Sequence, residues 1–260
     1  MGNDPILRIK GLTKFFGGLG AVVDLDMDID QGQIIGIIGP NGAGKSTALN
    51  MMAGSLSRTR GELFFQNQDV TKVTSHGMAK RGLARVFQSN TLFENVPVIT
   101  NVRVGLYLHT KIGFVAGLLN NAKTKKREQE LNEEALEILK FVGLSDQRDR
   151  LAVNLPHGRQ RALCLAVALA VKPKLLLLDE PLTGMNSEEV GAMISLIKAL
   201  RDEKGMTSIV VEHNMTAVMD LCDRITVLNY GRKIAEGRPS VIAEDPLVIE
   251  AYLGAENDAP

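Results

Sequence analysis

The chain has 260 residues, enough for one large domain or a core with a subdomain, and its 45% apolar share is ample for a buried interior. Lys plus Arg and Asp plus Glu balance at 30 each, so no basic field draws the protein onto nucleic acid or an anionic membrane. The longest apolar run, residues 162–171, stops at Lys172-Pro173, roughly half of the ~20 residues a membrane helix needs.

The N-terminus has no apolar signal region, and Ile6 breaks the myristoylation pattern. Cys164 and Cys222 sit in apolar helical patterns, which suits reduced, buried thiols of a cytosolic protein better than a disulfide. Residues 6–10 read as a strand, and residues 12–20 as a Gly-punctuated loop carrying Phe15 and Phe16. From 23 to 30 the residues alternate, with Val23, Leu25, Met27 and Ile29 on one face and Asp24, Asp26, Asp28 and Asp30 on the other. That is a half-exposed strand; the acids are not a calcium loop, since Ile29 stands where the turn glycine is required.

Gln31-Gly32 turns the chain into Ile34-Ile35-Gly36-Ile37-Ile38, a β-branched run suited to a buried parallel strand. Gly39-Pro40-Asn41-Gly42-Ala43-Gly44-Lys45-Ser46-Thr47 follows and matches G-x-x-x-x-G-K-[ST] at every required position. A helix is expected over 46–54, with Gly54 as its stop, which completes the strand–loop–helix context of a phosphate-binding loop. The glycines let successive backbone N–H groups point onto phosphate oxygens at a helix N-terminus. Lys45 would place a charge on the β- and γ-phosphates, the Ser46 hydroxyl would ligate Mg²⁺, and Thr47 would face the α-phosphate.

Residues 61–65 read as a strand, 75–81 as a short helix ending at Gly82, and 83–87 as a strand delivering Gln88 to its end. From 89 to about 155 the composition shifts to a loop around Pro97, an irregular Gly-containing stretch over 105–117, and a charged helix over 122–141. Its cations precede its acids, against the helix dipole, so a frayed or partner-held start is expected there. A mostly apolar helix over 158–171 returns to the core. Leu175-Leu176-Leu177-Leu178 is an apolar strand ending in Asp179-Glu180. Ser187 opens a helix that reaches 200, with Glu188 and Glu189 in its first turn. Residues 207–211 form a strand leading to Glu212-His213, and 224–228 another before the turn at Tyr230-Gly231. Alternating strands and helices on both sides of the inserted helices define a doubly wound α/β core with a helical insertion.

The second nucleotide motif is the apolar strand closing on Asp179-Glu180-Pro181: Asp179 beside the Mg²⁺ site, Glu180 polarising a water for attack on the γ-phosphate. The phosphate loop, Gln88 after a strand, Leu155-Pro156-His157-Gly158-Arg159-Gln160-Arg161, residues 175–181 and His213 together resemble the ATP-binding subunit of an ABC transporter, from about residue 7 to 254. The resemblance implies a P-loop NTPase of RecA-like parallel-sheet core over about 1–88 and 166–254. It adds an N-terminal antiparallel β subdomain, an α-helical subdomain over about 89–165 and a disordered tail over 255–260.

It implies that Phe16 stacks on adenine, with Phe15 competing for the role, and that Gln88 touches Mg²⁺ and water while sensing the membrane subunit. His213 would contact the γ-phosphate as the switch histidine. Catalysis would then rest on Lys45, Gln88, Glu180 and His213, metal binding on Ser46, Gln88 and Asp179, and nucleotide binding on Phe16, Gly39, Asn41, Gly42, Ala43, Gly44, Lys45, Ser46 and Thr47. Pro156, His157, Gly158 and Arg159 would serve the nucleotide of the opposite subunit. The usual Leu-Ser-Gly-Gly-Gln is replaced by Leu155-Pro156-His157-Gly158-Arg159, removing the serine hydroxyl but keeping the Gly158 N–H and the helix dipole; Asn186 likewise replaces an Asp.

Residues 181–186, 231–237 and 245–254 and the long segment between Gln88 and Leu155 resemble the branched-chain amino-acid importer ATPase; the ending is similar also to the lipopolysaccharide-export ATPase. The implied partners are a second ATPase, identical or homologous, integral membrane permeases and, indirectly, a periplasmic solute-binding protein, with no nucleic acid. The implied location is peripheral, on the cytoplasmic face of the inner membrane. A soluble, transport-free ABC ATPase would carry two fused units or a long coiled coil. A nucleotide kinase or GTPase would lack the middle motifs.

Overall fold

Strand β3 (Ile34–Ile38) is buried along its whole length, as its apolar run requires, because it is hydrogen-bonded on both edges. The computed structural model describes residues 4–86, 92–107 and 122–257. It divides into two units, one of Met1–Arg85, Lys174–Thr183 and Val190–Pro260, the other of Val86–Pro173 and Gly184–Glu189.

In the first unit β3 pairs in parallel with β8 (Thr207–Val211) and β9 (Arg224–Asn229), and β7 (Leu175–Asp179) pairs in parallel with β8. With β6 (Leu83–Val86) and the antiparallel β10 (Arg232–Gly237) the order is β10-β9-β3-β8-β7-β6. Helix α1 (Lys45–Met52) packs on β7 and β8. On α7 (Met215–Leu221) and just past it, Val218 and Cys222 lie so close to Gly36 that a Cβ there would sit 2.9 Å from the Cys222 sulfur. Both cysteines are buried and neither is in a disulfide, and burial pushes the Cys222 thiol up to about 12.

A second, four-stranded antiparallel sheet runs β2-β1-β4-β5, from β1 (Leu7–Phe16), β2 (Leu19–Ile29), β4 (Arg60–Phe65) and β5 (Gln68–Asp69). The stretch expected as a loop over 12–20 is therefore the tip of a hairpin. Its bulges at Lys10–Thr13 break the alternation by which a strand is read, while Leu12 and Thr13 are buried. Alternation in β2 holds from Leu25 to Ile29, but Asp24 takes φ +50° and shifts the register, so Val22 and not Val23 is buried. Two acids of that face are paired: Asp28 with Arg8 at 3.1 Å and Asp24 with Arg60 at 2.8 Å.

The second unit holds α3 (Val98–Tyr107), α4 (Ala122–Phe141) and α5 (His157–Ala170). Leu131, Ala135, Leu139 and Val142 form the buried stripe of α4 and its end. Gly105, expected to open an irregular stretch, lies inside α3: a Cβ there would come within 2.8 Å of the Ala170 Cβ, so the glycine is a close-packing residue. Residues 108–117 of that stretch lie outside the described residues.

The second unit runs to Pro173, and within it α5 packs on α3. At the C-terminus, α8 (Pro239–Ala243) is followed by α9 (Pro246–Asn257), which includes residues 255–257 of the expected tail; Ala255 and Glu256 are good helix formers and extend it. Residues 258–260 lie outside the described residues. Among the described residues no helix is long and apolar enough to cross a membrane.

Candidate active site

The phosphate loop joins β3 to α1 by a turn that needs its glycines. Gly39 (φ +149°) and Gly44 (φ +99°) hold left-handed backbone, and a Cβ at either would run into a carbonyl oxygen, that of Leu228 or of Ala21. Gly44 is also the N-cap of α1, with Ala48 N donating to its carbonyl at 2.9 Å. Gly44→Ala is therefore expected to lower MgATP affinity by about tenfold or more, read by calorimetry, because the first turn of α1 must move.

Lys45 is 8% exposed and folds over its own loop, its Nζ donating to the Gly39 carbonyl at 2.7 Å and the Pro40 carbonyl at 2.9 Å. Burial holds its pKa below the usual lysine range, and the charge of Glu180 opposes that shift. Asn41, Gly42 and Ser46 are exposed at the mouth of the loop, Thr47 is half-buried and Ala43 is buried. The Ala43 carbonyl accepts from Gly231 N at 3.1 Å, which ties the loop to the β9–β10 turn.

β7 delivers Asp179 and Glu180. The Asp179 carboxylate accepts from Arg85 Nη2 at 2.7 Å, and Arg85 Nη1 donates to Asn50 Oδ1 at 2.5 Å. Asn50 lies one turn beyond Ser46 on α1, so the Ser46 hydroxyl shares the helix face that Arg85 ties to Asp179. Neither Arg85 nor Asn50 is singled out by any motif; an arginine in an otherwise apolar strand beside a nucleotide motif was the available signal.

Glu180 takes φ +48°, a strained conformation for a residue with a side chain, and its N–H donates to the Val211 carbonyl at 2.9 Å. Its Oε1 lies 4.0 Å from His213 Nδ1, just beyond β8, and its Oε2 accepts from the Thr183 hydroxyl at 3.3 Å. His213 is exposed and Asn214, beside it, caps α7 by accepting from Ala217 N. Phe16 ends β1 half in solvent, with Lys14 Nζ 5.0 Å from its ring centre, and Phe15 is less exposed. Gln88 lies outside the described residues.

In the second unit Pro156 is the N-cap of α5, and Pro156, His157 and Arg159 are exposed. The Arg159 guanidinium donates to the Gly143 carbonyl. The loop before α6 (Ser187–Lys204) backs this helix start. A Cβ on Gly158 would meet Glu189 Oε1 at 2.5 Å, and one on Gly184 would meet the His157 ring at 3.1 Å. The cap of α6 is Asn186, not Ser187: Glu189 N donates to Asn186 Oδ1 at 3.0 Å and Asn186 N to Glu189 Oε2 at 3.1 Å, a reciprocal capping box. Asn at this position keeps the cap that an Asp would provide.

A glycine-built anion cradle with a buried lysine, and a buried strand that ends in paired acids facing a histidine, define a nucleotide-hydrolysing protein of the phosphate-loop class. The ABC transporter family model matches residues 22–183, and the chain belongs to that family; it is an ATP-hydrolysing ABC ATPase. A second model, of the branched-chain amino acid ATP-binding cassette transporter, matches residues 232–258.

Among relatives, the high-affinity branched-chain amino acid transport ATP-binding protein BraF of Pseudomonas aeruginosa is 37% identical over 250 residues, covering 96% of this chain and 98% of BraF. LivG of Escherichia coli, of the same description, is 36% identical over 252 residues, covering 97% and 99%. A solved ATP-binding cassette of an ABC transporter in its ADP conformation superposes with TM-score 0.84 at 30% identity, covering 97% of this chain and 100% of that one. A dimeric cassette in a post-hydrolysis state, bound to ADP and Pi, gives 0.75 at 26% identity, covering 90% and 98%.

Proposed function

We propose that this chain drives an importer of branched-chain or similar hydrophobic amino acids, as one ATPase of a head-to-tail pair under integral membrane permeases. The observation that carries the substrate class is the agreement of its C-terminal match with the identity it shares with BraF and LivG along their whole lengths. The solved dimeric cassette supports the pairing, and the second ATPase is identical or homologous. A periplasmic solute-binding protein supplies the solute, and the chain works peripherally on the cytoplasmic face of the membrane. The two units correspond to a nucleotide-binding core and a helical subdomain.

The residues suit the roles. Amides of residues 39–47 cradle the phosphates, Lys45 exchanges two carbonyls for phosphate oxygens, and Phe16 offers an open ring face to the adenine. Gly158 and its neighbours Pro156, His157 and Arg159 present the α5 N-terminus to the nucleotide held by the other copy. Ser46 and Asp179, with Gln88, would be the oxygen donors for Mg²⁺. A hydroxyl, a carboxylate and an amide oxygen are the hard donors that such an ion takes, and Asp179 ends the buried strand β7. When bound, magnesium would offset phosphate charge. Glu180 takes the proton of the attacking water while His213 stands 4.0 Å away to meet the γ-phosphate.

Two measurements test the reading. Lys45→Ala removes one charged hydrogen-bond donor, so MgATP affinity is expected to fall about 10- to 100-fold by calorimetry. Cells carrying that variant should lose uptake of labelled leucine, isoleucine and valine. Unchanged uptake of all three, with another transported solute lost, would reassign the substrate to lipopolysaccharide or another class.

A further inference from the structure

The strand β8 is buried throughout, and the next residue, Glu212, is an acid 1% exposed. A carboxylate there is costly unless its oxygens are met. They are met by main chain on both sides: Oε1 accepts from Leu182 N at 2.8 Å and Oε2 from His213 N at 3.3 Å. Burial raises the Glu212 pKa, and the two amides oppose that rise.

These two bonds fall at the hydrolytic residues. The turn that carries Glu180 begins in left-handed backbone at φ +48° and continues through Pro181, which has no N–H to anchor it. It is hung on the end of β8 by two short bonds, Glu180 N to the Val211 carbonyl at 2.9 Å and Leu182 N to Glu212 at 2.8 Å. Its internal closure, Thr183 N to the Glu180 carbonyl, is longer at 3.3 Å. The same side chain that fixes this turn also fixes the amide of His213.

We propose that Glu212 is a positioning residue of the hydrolytic site: its buried carboxylate clasps the main chain at Leu182 and His213, and so sets the strained Glu180 turn and the His213 ring relative to each other. The assignment rests on Glu180 and His213 acting as described above. Glu212 itself touches no substrate; it fixes a separation, that of Glu180 Oε1 from His213 Nδ1, at 4.0 Å.

The test uses the full-length chain with Glu212→Gln and Glu212→Met, measuring single-turnover hydrolysis, MgATP affinity by calorimetry and amide exchange at Leu182 and His213. Gln keeps one acceptor for Leu182 N but turns a donor toward His213 N, so turnover should fall about tenfold; Met keeps neither acceptor and should fall about a hundredfold. Affinity should stay within about twofold of wild type in both, since the phosphate cradle is untouched, and the two amides should exchange faster. The isosteric Gln variant decides the matter if Met does not fold. Turnover within about twofold of wild type in Glu212→Gln, or unchanged protection of both amides, overturns the positioning role. Glu180→Gln is run beside them. If it is inactive while the Glu212 variants are not, the role of Glu212 alone fails. If it turns over normally, the reading of Glu180 fails and takes this proposal with it.

Discussion

Glu180→Gln is expected to stop hydrolysis and leave MgATP bound. The substitution is isosteric, so it keeps the left-handed backbone at φ +48°, the Glu180 N to Val211 carbonyl bond and the acceptor for the Thr183 hydroxyl. What it removes is the proposed base: an amide oxygen does not take the proton of the attacking water, and loss of positioned general-base help costs about 10²–10⁴ in rate. The phosphate loop and Lys45 keep their main-chain geometry, so affinity should change little. Retention of labelled ATP through gel filtration, in a species of dimer size, is the positive result. Hydrolysis within about tenfold of wild type would instead move the base elsewhere, with His213 the nearest alternative.

The parts of this machinery that were legible in the sequence are those where one short stretch specifies both backbone and chemistry. The phosphate loop needs a buried strand before it and a helix after it; β3 and α1 lie there, with the helix starting at Lys45. Asp179 and His213 are read the same way, Asp179 as the last residue of the apolar strand β7 and His213 two residues past the end of β8. What escapes reading is set by partners distant in sequence. The 12–20 stretch is hidden by bulges that alternation cannot follow, and Gly105 is a glycine because α5 crosses there. Arg85 and Glu212 lie in strands or at strand ends whose apolar neighbours dominate the pattern. Their meaning comes from Asp179 and Leu182, which the sheet order brings beside them.

Arg85 carries the second large effect, on stability rather than rate. Its side chain and that of Asp179 are 9% and 10% exposed and 2.7 Å apart, so neither charge has bulk water to fall back on. Arg85→Met keeps the aliphatic stem and leaves the carboxylate buried beside it, a change that costs about 3–5 kcal/mol where a screened surface pair would cost under ~1 kcal/mol. The unfolding midpoint should fall by roughly 10 °C. Asn50 contributes little to that loss, because its Oδ1 still accepts from the Ser55 hydroxyl at 3.2 Å. Adding Asp179→Asn removes the stranded charge, so the double variant should recover more than half of the lost stability, a non-additivity that isolates the pair. MgATP sharpens the test. The ion that Ser46 and Asp179 are proposed to hold supplies the missing positive charge, so nucleotide with magnesium should raise the midpoint of Arg85→Met more than that of wild type. ATP with chelator should not. An equal rise in both would mean that Asp179 does not face the metal, and that Arg85 alone is what the carboxylate is there to meet.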